Sequence, residues 1–170
     1  MLKKMALAMC AVTLLAAAPG FAAQAMPGDA AKDFTLKNLE GQDFKLSTFK
    51  DQKPVVLIFW QSACASCIAD MAFMSEQKAK NPGFEFVAVN VDARGGTPES
   101  NKALTNFLTQ KKVNLDVLLD PSYSVARLYG IGATPSTVLI NKDGKVASVI
   151  MGFTPGTDEK TVADAIAKLK

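Results

Sequence analysis

The chain has 170 residues, 49% hydrophobic and 21% charged, with a formal net charge of +3. These values exclude a disordered, collagenous or coiled-coil chain, and they fit one globular domain able to bury a core without disulfide staples. Histidine is absent, which removes Ser-His-Asp and Cys-His catalysis, histidine zinc sites and histidine-ligated haem, and the small positive surplus gives no argument for nucleic acid.

Met1-Leu2-Lys3-Lys4 is a short basic start, followed by an uncharged apolar run from Met5 to Ala18, the helix breaker Pro19-Gly20, and the small-x-small pattern Ala23-Gln24-Ala25. That order predicts a secretory signal peptide over residues 1–25 and a mature domain over residues 26–170, in the periplasm or another extracytoplasmic space. An uncleaved membrane anchor is the alternative, disfavoured because the run is shorter than the ~20 residues that span a bilayer. Cys10 lies inside the apolar run behind bulky Met9 and reads as signal-peptide filler rather than a lipidation site. Without residues 1–25 the chain loses Lys3 and Lys4 and no acid, and is nearly neutral. Its two remaining cysteines, Cys64 and Cys67, stand where disulfides persist, so they are joined to each other or perform redox chemistry.

Asp33 to Lys37 and Asp43 to Leu46 alternate polar and apolar around Glu40-Gly41, which predicts a β-hairpin. Pro54 to Trp60 is a continuous β-branched and aromatic run, a strand covered on both faces. Residues 65–80 contain neither Gly nor Pro and place Ile68, Met71, Ala72 and Ser75 at helical spacing, until Asn81-Pro82-Gly83 stops the helix. Phe84 to Val91 is a second buried strand. Pro98 to Lys112 is a helix with Pro98 in its first turn and Leu104, Phe107 and Leu108 on one face. Val117 to Leu119 is a short strand and Ser122 to Tyr129 a short helix. Ser136–Ile140 and Lys145–Ile150 flank the turn Asn141-Lys142-Asp143-Gly144. Asp158 to Leu169 is an amphipathic helix with Val162, Ile166 and Leu169 inward. Buried strands alternating with helices imply βαβ crossovers, and the closing hairpin makes the sheet mixed: an α/β sandwich in one domain.

Cys64-Ala65-Ser66-Cys67 falls where a buried strand gives way to a helix. Two cysteines three residues apart at a helix start come within bridging distance. The first lies at the helix N-terminus, where unpaired N–H groups favour a thiolate, and such sites lower a thiol pKa to roughly 3.5–7.5. Cys64 is therefore the expected nucleophile, and Cys67, one turn deeper, the residue that resolves a mixed disulfide. A zinc half-site lacks its other two ligands. A purely structural bridge would close too short a loop to stabilise a domain of this size. Copper(I) binding assisted by Met71 or Met74 is weaker than core packing as an account of those methionines.

The run Phe59-Trp60-Gln61-Ser62-Ala63-Cys64-Ala65-Ser66-Cys67 resembles the redox motif of exported thioredoxin-fold proteins of the TlpA/ResA type. The resemblance continues through Phe86 to Asp92 and through Tyr129 to Gly144, covering about residues 28–169. It implies a thioredoxin fold with an N-terminal hairpin and a helix inserted between the βαβ and ββα halves. It also implies a thiol-disulfide oxidoreductase, often a reductase of exported partners such as cytochrome c maturation clients. Such a protein needs no bound cofactor, is re-reduced by a membrane electron donor, and is expected as a monomer. Thr134-Pro135 resembles the loop whose cis proline faces the cysteines; Pro135 has no N–H, while the Thr134 backbone can pair with an extended partner segment. Asp70 lies three residues after Cys67, on the same side of the helix, where similar proteins often carry a Glu thought to move protons. A buried Asp70 would have a raised pKa and could act as general base for Cys67; a solvated acid in the first turns of a helix is the alternative reading. Trp60 is expected in the site wall beside the partner, with core packing as the alternative.

Ala63 stands where many relatives carry a second Trp, and Ala65-Ser66 holds neither proline nor charge. The reducing direction is thus what the resemblance implies rather than what the dipeptide dictates. A peroxiredoxin-like peroxidase shares the wider fold but usually places a Thr two or three positions before its cysteine and an Arg nearby; here Ser62 is the only hydroxyl at those positions, and Arg94 and Arg127 are the sole arginines. A non-catalytic copper- or partner-binding module is the reading from a different class.

Overall fold

The computed structural model describes residues 23–92 and 96–169. Most of the expected leader, with Cys10, lies outside these residues, as does Arg94. Ala25 is buried and donates its N–H to the Tyr129 carbonyl oxygen at 3.1 Å.

Among the described residues, seven strands and four α-helices follow in the order β1 (Thr35–Asn38), β2 (Asp43–Lys45), β3 (Val55–Trp60), α1 (Ala65–Lys80), β4 (Glu85–Asn90), α2 (Pro98–Gln110), β5 (Asp116–Leu119), α3 (Ser124–Leu128), β6 (Ser136–Ile140), β7 (Val146–Met151) and α4 (Glu159–Ala167). They build one sheet in the order β2-β1-β5-β4-β3-β6-β7. The crossovers through α1 and α2 make β3, β4 and β5 parallel, while the β6–β7 hairpin runs antiparallel against β3. This is the mixed sheet expected of a thioredoxin fold. The first hairpin does more than close on itself: β1 pairs antiparallel with β5, Lys37 opposite Leu119, and so extends the sheet. A 3-10 turn, Leu46–Phe49, follows β2 directly.

All six residues of β3 are buried because both faces of the central strand are covered. Val55, Leu57 and Phe59 point to one face, where they join Phe34, Leu46, Val125 and Tyr129. Val56, Ile58 and Trp60 point to the other, where they meet Cys67, Met71 and Met74 of α1, Leu108 of α2, and Val162 and Ile166 of α4. Each large aliphatic side chain buried this way contributes ~1.5–3 kcal/mol. The inward stripe of α1 differs from the sequence expectation. It runs Cys67, Asp70, Met71, Met74 and Gln77, leaving Ile68 and Ser75 half-buried. Asp70 and Gln77 take inward positions that an apolar count skips.

Helix α3 begins at Ser124, later than the expected Ser122. Tyr123 adopts a left-handed backbone (φ 56°, ψ 23°), and the fully buried Asp120 carboxylate caps the helix. Asp120 accepts the N–H groups of Ser124, Val125 and Ala126 at 2.8–2.9 Å and the Ser124 hydroxyl at 2.8 Å.

Candidate active site

The parallel strands deliver the ends of β3 and β4 to the same edge of the sheet. Gln61-Ser62-Ala63 leads from Trp60 to Cys64, which is the N-cap of α1. Asp92, just past β4, anchors this link: the Ser62 N–H donates to its two carboxylate oxygens at 3.1 and 3.3 Å. The Asn90 side-chain amide donates to the same carboxylate at 2.9 Å, and Asn90 Oδ1 accepts the Asp92 N–H at 3.2 Å.

Cys64 and Cys67 form a disulfide with Cα atoms 5.2 Å apart. The two sulfurs sit in unlike surroundings. Cys67 has no exposed surface, whereas Cys64 is half-buried at the mouth of the helix. Cys64 Sγ accepts the Cys67 N–H at 3.2 Å, a direct use of an unpaired donor at a helix N-terminus, and the Ser66 hydroxyl lies 3.5 Å from it. The Thr134–Pro135 bond is cis, as the resemblance implied, and the Thr134 carbonyl oxygen is 3.8 Å from Cys64 Sγ. Thr134 is half-buried and Pro135 buried.

Asp70 is 2% exposed, one turn beyond Cys67 on the inward face of α1, so it is not the solvated acid of the alternative reading. Its Oδ1 has no hydrogen-bonding partner among the described residues. Burial pushes its carboxyl up from 3.8 to about 7. That value lets it hold or release a proton near neutrality. Trp60 is fully enclosed, packing in the same cluster as Cys67, and its Nε1 is likewise unpartnered among the described residues. It therefore presents no surface to a partner: the expected place in a partner-facing wall gives way to packing beneath the disulfide. The reason is strand alternation, which aims Trp60 at α1 rather than outward. Met71 and Met74 are also fully buried in this cluster. Arg127 is spent on the Ser122 carbonyl oxygen at 2.6 Å.

Sequence reasoning did not single out four residues that shape the site. Asp92 lay in plain view two residues after Asn90. Asp120 followed the β5 strand as a helix cap would. Gln61 and Tyr123 carry no local signal for each other, because they are 62 residues apart and meet only in the fold, with Gln61 Nε2 donating to the Tyr123 hydroxyl at 2.6 Å.

The profile of the AhpC/TSA family matches residues 27–149. The thiol-disulfide oxidoreductase ResA of Bacillus subtilis is 37% identical over 127 residues, 74% of this chain and 67% of that one. The ResA of Geobacillus thermodenitrificans is 33% identical over 141 residues, 82% of this chain and 77% of its own. A solved structure described as a thiol:disulfide interchange protein DsbE from Chlorobium tepidum superposes with a TM-score of 0.75 at 34% identity, covering 86% of this chain and 99% of that one. The motif residues, the fold and these relatives converge, and the chain belongs to the AhpC/TSA family as a thiol-disulfide oxidoreductase of the ResA and DsbE type.

Proposed function

We propose that the protein works outside the cytoplasm as a reductase of disulfides in exported partner proteins, cytochrome c maturation clients among them. The observation that carries this reading is the asymmetry of the pair: an accessible Cys64 at a helix N-terminus beside Thr134, and a sealed Cys67 behind it. In the reduced protein the Cys64 thiolate attacks one sulfur of the partner disulfide, forming a mixed disulfide and expelling the other sulfur as a thiolate. Cys67 then gives its proton to the Asp70 carboxylate and attacks Cys64 Sγ. The Cys64–Cys67 bond forms, and the second partner sulfur leaves and is protonated. Two electrons pass to the partner, and a membrane-bound dithiol donor returns them. Thr134 and Pro135 supply the backbone edge on which the partner lies, and Trp60 holds Cys67 in place from below.

The leader expected over residues 1–25 supports the location; among the described residues no helix is long and apolar enough to cross a membrane. The peroxidase alternative has less support among the described residues, since Arg127 donates to the Ser122 carbonyl oxygen rather than to the sulfurs. The test is a Cys67→Ser variant incubated with exported proteins. Partners held on Cys64 as reducible adducts support the reading. A variant that captures nothing while the wild type still reduces disulfides overturns the assigned roles.

A further inference from the structure

Three loops at the rim of the site are tied together by one amide. Gln61, in the β3–α1 link, donates through Nε2 to the Tyr123 hydroxyl at 2.6 Å, and its Oε1 accepts the Thr134 hydroxyl proton at 3.3 Å. Tyr123 belongs to the β5–α3 link and Thr134 to the link before β6. The Tyr123 backbone is left-handed, with φ 56°. Glycine adopts that conformation freely, while a bulky residue is strained in it. A strained residue beside an active site is held there by its surroundings and points to a role. The Tyr123 ring packs against the edge of the core, and a cleft of about 50 Å³ opens between Gln61, Val91, Tyr123, Ala126, Ile131 and Thr134. Among the described residues, its hydroxyl makes one hydrogen bond, to Gln61.

Among the described residues, neither the N–H nor the carbonyl oxygen of Thr134 bonds to another backbone group, and the oxygen lies 3.8 Å from Cys64 Sγ. An extended partner segment would use that edge in the manner of an added strand. We infer that Gln61 and Tyr123 are positioning residues that fix Thr134 through its hydroxyl, so that the backbone of a partner is received in register with Cys64. This rests on the partner-reductase reading above and deepens it. The pair contributes to capture of a peptide chain, and it has no part in the chemistry of the sulfurs.

The experiment mixes pre-reduced protein with excess cystine-linked dimer of an extended pentapeptide, and separately with the small aromatic disulfide 5,5′-dithiobis(2-nitrobenzoate). Tyr123→Phe and Gln61→Ala are each expected to raise the half-saturating peptide concentration about fivefold, the effect of one lost hydrogen bond. The limiting rate and the rate with the aromatic disulfide should stay at the wild-type values. The double variant should be little worse than either single one, because both remove the same link. Unchanged half-saturation in Tyr123→Phe, additive effects, or equal losses with both disulfides overturn the positioning role. A wild type that cannot reduce the peptide while it reduces the aromatic disulfide overturns the reading beneath it.

Discussion

The sulfur of Cys64 accepts the backbone N–H of Cys67 at 3.2 Å, while the Cys67 side chain itself has no exposed surface. One short helical turn thus holds an outward sulfur and an inward one. In the reduced protein the outward sulfur should alkylate and the inward one should not. Iodoacetamide followed by peptide mass mapping is expected to label Cys64 at least about tenfold faster than Cys67, since reactivity follows thiolate character and access. Equal labelling would mean that the helix start does not distinguish them.

Asp70 carries a pH signature. Its carboxyl is raised by burial to about 7 in the folded protein, against 3.8 ordinarily. The folded state therefore keeps its proton where the unfolded state has lost it, and this group's contribution to stability is fully present below about pH 4 and is lost as pH climbs to about 7, by up to about 4 kcal/mol. Denaturant titrations across that window should show the slope, and Asp70→Asn should flatten it. If Asp70 also takes the Cys67 proton, the same variant should slow release of the mixed disulfide about tenfold near pH 7, seen as accumulation of the adduct. A flat wild-type profile would show that Asp70 is charged throughout.

The Asp92 carboxylate grips the Ser62 N–H and is itself gripped by Asn90. Asp92→Ala leaves that N–H without its acceptor and frees the link leading to Cys64. The expected loss is ~0.5–1.5 kcal/mol in stability, that of a hydrogen bond whose exposed donor water can satisfy, measured by urea unfolding. Faster alkylation of Cys64 should accompany it, because the link no longer has a fixed path.

Much of the fold was legible because burial on both faces writes itself as an unbroken apolar run, as in Val55–Trp60, and because Asn81-Pro82-Gly83 ends a helix chemically. The redox pair was legible because Cys-x-x-Cys needs only local geometry. Relationships across distance were not. The pairing of β1 with β5 joins Lys37 to Leu119, and nothing in either segment names the other. Asp70 was legible only as a choice of two readings, since its spacing from Cys67 points inward while a carboxylate in the first turns of a helix reads as surface until the sheet is placed against it. The left-handed Tyr123 was hidden for a related reason: Pro121-Ser122-Tyr123-Ser124 reads as an ordinary helix entry, and the Asp120 cap that sets its path forms only after the chain has folded back. Trp60 was placed on the right strand, but its face is fixed by where α1 lands.

The most direct measurement follows intact protein mass and partner thiols together after the reduced protein meets a protein disulfide. The mass should fall by two hydrogens in step with the appearance of two partner thiols, and Cys64→Ser should abolish both changes. A pair that stays bridged in the presence of reductant, or partner thiols that appear without oxidation of Cys64 and Cys67, would contradict it.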